Sequence, residues 1–424
     1  MSDLESTILV RRKRPQPSRP HWGRIAAATI LAVALFVGGV MYGAYAFFKG
    51  TFQPAPGTEG VVIEPGERIN VLFLGVDGGV NGNGPKSDGA RADTIVLVSF
   101  DTETKEVAAL HLPRDTRVQI PGRTGFEKLG HAHAYGGPLL AMETVAQFLG
   151  VKVHYYVRVD FAGFIKAVDI LGGIELTVEK DLFYEDPLQD LYIDIKAGKQ
   201  TMDGETALNF VRYRGYPDAD IGRIRAQQAF VRAFVNKFYE LDILWRIPNL
   251  VQSIVPYLNT SMDVSTLLQL AGQALQVKKE RIAMEMLPGT PRDMTEGGRV
   301  ISFWVADPVR TQRVVDLLIR GIDYDANRRT RVEVLSGTTS SEAVELLVAH
   351  LNKLGYIVIR TGQADRQTYQ TTQLISYTKD DLALRRMTRV VSQVAPKPRL
   401  IRRQPPEEYV DFAIIVGADV KQGE

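Results

Sequence analysis

The stretch "INVLFLGVD", residues 69–77, is a short apolar run that stops at an aspartate. Two runs of the same kind follow it, "TIVLVSFD" (94–101) and "EVAALHLPRD" (106–115), ending at Asp101 and Asp115. Runs this short and this apolar read as buried strands. By contrast, "PLLAMETVAQFLG" (138–150) and "FAGFIKAVDILGG" (161–173) have helical periodicity and end in glycine, a helix-stop signal. Alternating strands and helices predict an α/β sandwich built on one central sheet.

Working outward, the 424 residues are too many for one ordinary core, and 45% apolar residues suffice to bury two or three. There is no cysteine, which excludes disulfides and thiolate metal sites. Residues 25–48 carry no charge, and at about 1.5 Å per residue a helix of that length spans a bilayer. Arg11, Arg12, Lys13, Arg14, Arg19 and Arg24 precede this segment and only Lys49 closely follows it, which predicts a cytoplasmic tail (1–24) and an extracytoplasmic remainder. The expected location is therefore the cell membrane, with a single span. A cleaved signal peptide is the alternative, but the apolar stretch is longer than usual for one.

Residues 49–67 have the Pro/Gly content of a stiff spacer. The first folded domain is assigned to 68–325, and within it residues 241–322 read as mostly helical. A smaller α/β module, 326–424, follows. It is expected to contain a strand in "TRVEVLSGTT", a helix in "SSEAVELLVAHLNKLG", a strand in "YIVIRTG", a further strand and helix in "LISYTKDDLALRRMTRVV" and a last strand in "VDFAIIVGAD".

Chemistry concentrates in the first domain. Asp77 ends one strand and Asp93 opens the next across a glycine-rich loop, so the two carboxylates can share a hard cation, for which magnesium fits best. The competing reading has Asp77 capping a turn and Asp93 pairing with Arg91. Arg114 follows a third strand, and its competing reading is a loop pair with Asp115. "NFVRYRGYPDADIGRIRAQQ" (209–228) then supplies Arg212, Arg214, Arg223 and Arg225. Arg223 and Gln227, four apart, share a helix face, whereas Arg225 points elsewhere. Arg212 and Arg214 line up if the chain extends toward Pro217. Converging guanidinium forks suit a pyrophosphate, and the alternative is a helix-face network with Asp218 and Asp220. Nucleic acid is not an expected partner, because Phe210, Tyr213 and Tyr216 are spaced as core and the domain is expected outside the cell. Without its basic tail the chain is also net negative by two.

Taken together, "NVLFLGVD", "RADTIVLVSFD", "LPRDTRVQIPG", "HAYGGP", "VDILGG", "GKQTMDGETALNFVRYR" and "DADIGRIRAQQ" resemble, in order, the motifs of the LytR-CpsA-Psr family of bacterial envelope proteins. The resemblance covers about Arg68 to Ile322. "VEVLSGTT", "LNKLGYIV" and "FAIIVGAD" look like the family's accessory C-terminal domain. The resemblance implies a sandwich with an apolar lipid groove, and a phosphotransferase that ligates a glycopolymer from a polyprenyl-pyrophosphate carrier to peptidoglycan. By motif it assigns Asp77 and Asp93 to magnesium, and Arg91, Arg114, Arg212, Arg214, Arg223 and Gln227 to pyrophosphate. Asp93 and Arg114 are the expected catalytic pair, with Asp93 the candidate base although a metal ligand makes a poor one. Two positions depart from the family: Gly130 stands where it favours Asn, which sets Lys128 and its loop aside, and Ala226 where a second Arg is common. A pyrophosphatase that uses water, and a lipid-binding regulator without turnover, are the readings from other classes.

Overall fold

The computed structural model describes residues 68–76, 91–187, 191–213, 215–217, 220–237, 258–263, 276–296, 298–404 and 410–420, with residues 266, 267, 269, 270 and 273 between them. The expected membrane span, the spacer, Asp77 and Arg214 lie outside the described residues. Among the described residues no helix is long and apolar enough to cross a membrane.

The three opening runs form β1 (Ile69–Val76), β2 (Ala92–Phe100) and β3 (Val107–His111). Short pairs β4 (Arg117–Val118) and β5 (Glu127–Lys128) lead into helix α1 (Leu129–Leu149), and β6 (Tyr155–Asp160) into α2 (Phe161–Ile170). β7 (Ile174–Val178) pairs with β10 (Gly198–Met202), and between them lies the hairpin β8 (Leu182–Asp186) and β9 (Leu191–Ile195). Helices α3 (Gly204–Arg212) and α4 (Asp220–Lys237) follow. Asp203 starts α3 by accepting a hydrogen bond from the Thr206 amide at 2.8 Å.

Strand β11 (Leu258–Thr260) and strand β12 (Ile282–Met286) complete the central sheet, in the order β11-β6-β1-β2-β3-β12. β6 runs parallel to β1 and β12 to β3, while β2 is antiparallel to both β1 and β3. Consequently β1, β3, β6 and β12 all end at one edge. Leu72, Leu74, Leu97 and Leu110 are fully buried on one face, in a cluster completed by Ala141, Val145 and Leu149 of α1. Ile69, Val71, Tyr155 and Val157 turn to the other face against Met262 and Val277. Cover on both sides is why the runs read as continuous, and truncating one such leucine to alanine costs about 2–5 kcal/mol.

The helix that opens at Pro138 appears as expected, but as the second half of α1. Gly136 and Gly137 break the helix between Tyr135 and Pro138, Gly137 with φ +67°, and Gly150 ends it in the left-handed region. The helical reading of 241–322 is corrected. Besides β11 and β12 this region contains the hairpin β13 (Gly289–Glu296) and β14 (Arg299–Ala306). Among the described residues the helical reading is matched by residues 266, 267, 269, 270 and 273, by the 3-10 turn Lys279–Arg281, by α5 (Pro308–Val315) and by the π-helical turn after it, Asp316–Arg320. Residues 241–257 lie outside the described residues.

After α6 (Tyr324–Arg329), the strands β15 (Arg331–Ser336), β16 (Ile357–Gln363), β17 (Gln373–Ser376), β18 (Arg399–Arg402) and β19 (Phe412–Val416) build a second sheet, ordered β16-β15-β19-β17-β18. Helices α7 (Glu342–Lys353) and α8 (Asp381–Val394) cover it through Leu347, Leu351, Met387 and Val391. Residues 399–402 are a strand that the sequence reading omits.

Charged side chains of α8 dock on the far end of β2. Arg389 meets Asp101 at 2.6 Å, Arg386 meets Glu106 at 2.7 Å, and Arg385 donates to the Glu103 carbonyl at 2.8 Å. Arg68, at the start of β1, donates to Ser99 Oγ at 2.9 Å and lies 3.5 Å from Asp101. Burial works against the charged form of Asp101, yet Arg389 and the Thr104 amide hold its carboxyl below the usual range.

Candidate functional site

The edge where β1, β3 and β6 end collects the polar groups. Register sets Val76 beside Asp160 on one side and beside Ala92 on the other, across an irregularity at Gly75/Val76. Asp93 and Asp160 therefore flank the exit of β1, which leads directly to Asp77. Asp160 also caps α2, accepting from the Gly163 amide at 2.8 Å. Beyond β3, Arg114 turns back across the edge and its Nη1 donates to Asp93 Oδ1. The competing loop pair is present but looser, with Arg114 Nε 3.9 Å from Asp115, and Arg91 is exposed.

From the other side come α3 and α4. Arg212 is the last residue of α3 and lies over the Phe161 ring at 4.7 Å. The chain extends only from Tyr213, with ψ 132°, so the expected extended start at Arg212 is corrected by one residue. Arg223 and Gln227 lie one helical turn apart on α4 and are both buried. Gln227 Nε2 donates to the Val211 carbonyl at 3.2 Å, while its buried Oε1 has no hydrogen-bond partner among the described residues. Arg225, as its angle on the helix predicts, is exposed and faces a separate depression with Tyr216 and Ala226. Phe210 and Tyr213 are buried core, with Tyr216 packed against them.

Asp93, Asp160, Arg212, Arg223 and Gln227 share one cavity of about 180 Å3, whose walls also include Phe161, Phe164, Tyr184, Leu191, Phe230 and Val231. Phe164 and Phe230 stack at 4.9 Å. The cavity thus combines charged groups with walls that are otherwise mostly apolar. His111, the last residue of β3, lies beneath: burial and the nearby Arg223 charge push its imidazole down to about 3, so it is neutral at physiological pH.

The other side of Arg114 faces a second cavity of about 250 Å3, lined by Arg91, Ala92, Arg114, Asp115, Lys128, Gly130 and His131. Lys128, set aside in the sequence, is 2.8 Å from Asp115 here. Gly130 explains its own identity. Its amide donates to the Arg114 carbonyl at 2.8 Å, and a Cβ there would lie 2.8 Å from the Ala92 carbonyl oxygen and 3.2 Å from Arg114 Cβ. The site set is therefore split. Asp93, Arg212, Arg223 and Gln227 meet in the first cavity, Arg91 belongs to the second, and Arg114 joins the two through Asp93.

Among the described residues no three His, Asp or Glu side chains form a metal group. One or two carboxylates completed by phosphate oxygens and water are what magnesium ordinarily uses, and a partly exposed Asp93 carboxylate on the cavity wall fits that donor set.

Comparison with known proteins follows the same boundaries. TagT of Bacillus subtilis, a polyisoprenyl-teichoic acid–peptidoglycan teichoic acid transferase, is 32% identical over 267 residues, covering 60% of this chain and 81% of that protein. An uncharacterized protein of Staphylococcus aureus is 35% identical over 195 residues, 45% of this chain, and the match spans 48% of its length, about half. Among solved structures, TagT bound to LIIa-WTA superimposes with a TM-score of 0.50 at 27% identity, covering 63% of this chain and 96% of that one. The sequence model of the LytR_cpsA_psr family matches residues 51–317, ending before β15. With more than half of its length matched and a mixed α/β fold like that of solved relatives, the chain belongs to the LytR_cpsA_psr family.

Proposed function

We propose that this protein is a membrane-anchored phosphotransferase that moves a glycopolymer from a polyprenyl-pyrophosphate carrier to peptidoglycan. The observation that carries the reading is the first cavity: aromatic and aliphatic walls around Phe164 and Phe230 that also present Arg212, Arg223 and Asp93. A polyprenyl chain suits the walls and a pyrophosphate suits the guanidinium groups. The transferase name of TagT supports the same reaction class.

Arg212 and Arg223 grip the phosphate oxygens and keep their positive charge in place as negative charge builds on the departing polyprenyl phosphate. Phe161 fixes Arg212 from below, and burial fixes Arg223. Gln227 offers a further polar contact in the same cavity. Asp93 orients Arg114 across the reacting phosphorus. Asp77 and Asp93 would hold magnesium, which adds charge neutralisation at the leaving phosphate. The uncharged segment 25–48 serves as the anchor, with the basic tail in the cytoplasm, and residues 326–424 form the family's accessory C-terminal domain.

The test is the full-length protein in detergent with a lipid-pyrophosphate glycan, magnesium and peptidoglycan. Covalent attachment of the glycan with release of polyprenyl phosphate is expected. Glycan released as a free phosphate ester would instead mean a pyrophosphatase, and donor binding without turnover a regulator.

A further inference from the structure

Phosphoryl transfer to a sugar hydroxyl requires a group that takes the hydroxyl proton, and Asp93 is badly placed for it. Its Oδ1 is held by Arg114, so protonating it would break an ion pair at the moment of attack. Asp115, the other carboxylate beside Arg114, is held by Lys128 at 2.8 Å. The second cavity contains one more proton acceptor, His131.

His131 sits in the first turn of α1, and Glu127 in β5. Nδ1 of His131 lies 3.0 Å from Glu127 Oε2. A carboxylate at that nitrogen keeps the proton on Nδ1 and leaves Nε2 as the basic nitrogen, the orienting arrangement that general-base histidines use. The ring is held from a second direction as well. Tyr135 packs on it edge to face at 5.9 Å, and its hydroxyl donates to the same Glu127 oxygen at 3.4 Å. An ordinary surface His–Glu pair would not line a cavity, whereas this one shares its cavity with Arg91, Arg114 and Lys128.

Outside the cavity the surface suits a saccharide. Phe126 and Tyr135 are each more than one-third exposed, and each carries a guanidinium over its ring, Arg117 at 3.4 Å and Arg123 at 3.8 Å. Arg117 is pinned in turn by Glu296 of the β13–β14 hairpin, at 3.1 Å through Nε. Register places Arg117 opposite Lys128, so this aromatic strip is continuous with the cavity wall.

We propose that the acceptor saccharide enters through this second cavity and that His131, held by the positioning residue Glu127, is the general base. This rests on the phosphotransfer reading above. The acceptor hydroxyl oxygen forms a bond to the glycan-side phosphorus as its proton passes to His131 Nε2. The bond from that phosphorus to the bridging oxygen breaks, and its electron pair leaves with the polyprenyl phosphate held by Arg212 and Arg223. Glu127 stabilises the imidazolium, which returns its proton to water once the product departs.

The experiment measures transfer and donor binding in full-length wild type, His131→Gln, His131→Ala and Glu127→Gln. General-base removal should lower kcat of His131→Gln by about 100-fold or more. Donor affinity should stay within twofold, added imidazole should restore part of the His131→Ala rate, and Glu127→Gln should lose kcat without losing KM. A His131→Gln kcat within threefold of wild type overturns the proposal, and so does a loss of rate matched by a loss of donor binding. If His131→Gln does not fold, Glu127→Gln is judged by the same two criteria. If wild type only hydrolyses the donor, the phosphotransfer reading fails on its own, and the same variants assayed on hydrolysis still decide whether His131 is the base.

Discussion

Lowering the pH should weaken this protein through one buried imidazole. His111 is 6% exposed at the end of β3, between the fully buried Leu110 and Leu112, and is held neutral down to about 3 against an ordinary value of 6.5. Between those values the unfolded chain binds the proton and the folded one refuses it. The stability His111 permits is therefore complete above about pH 6.5, falls as pH drops through that window, and levels off near pH 3. Between pH 8 and pH 5 the loss from this group is about 2 kcal/mol, since one pKa unit corresponds to about 1.4 kcal/mol and only the last unit and a half of the descent lies below the ordinary value. The comparison that isolates it is His111→Phe, which fills the site without titrating and whose packing strain is the same at both pH values. Urea unfolding can be followed by tryptophan emission, to which Trp304 contributes from beside the site: its indole donates to the Leu287 carbonyl while the Leu287 amide donates to the His111 carbonyl. Wild type should lose about 2 kcal/mol more than the variant between the two pH values. Arg223→Gln, by removing a repelling charge, should shrink that difference. Parallel pH curves for wild type and His111→Phe would refute the assignment.

Two further predictions address the site itself. Gly130→Ala should cost about 1–3 kcal/mol by forcing the loop off the Ala92 carbonyl. It should lower transfer further by moving Arg114, so a destabilised variant with full specific activity would show that the loop does not position that arginine. Arg223→Lys should lose one to two decades of turnover, because each charge-assisted bond is worth roughly 1.5–3 kcal/mol and about 1.4 kcal/mol is tenfold in rate. Arg225→Lys, on the opposite side of α4, should stay within twofold. Equal losses in the two variants, read in one transfer assay with thermal melts alongside, would remove Arg223 from the phosphate clamp.

The parts of this molecule legible in the sequence are those where one physical cause dominates. β1, β2 and β3 announce themselves because both faces are covered, and the second half of α1 because Pro138 opens it and Gly150 closes it. Arg223 and Gln227 are legible as partners because four residues on a helix is a contact. The hairpin β13–β14 is not, because most of β13 is exposed and contains Pro291, Arg292 and Asp293 instead of alternating apolar residues. Its one signal is the turn at Gly298, φ +77°. The Arg114–Asp93 pair is hidden for another reason, since only the register of β2 against β3 brings those residues together. Lys128 and His131 were obscured by Gly130, although that glycine was itself the clue: a residue without Cβ marks where two backbones approach too closely for anything else.

The ionic seam between α8 and the end of β2 sets a distance. Asp93 lies at the start of that strand, on the cavity edge, and Asp101 follows its other end, eight residues on, which at about 3.3 Å per residue is roughly 26 Å of hydrogen-bonded sheet. Arg68, immediately before β1, lies at the seam as well. The C-terminal module thus sits at one end of β2, and the first cavity, where the proposed phosphate exchange would occur, lies at the other. Under the proposed function, anything bound by that module would be held at a fixed standoff from the first cavity, so the module could set where transfer occurs without contacting the groups that carry it out.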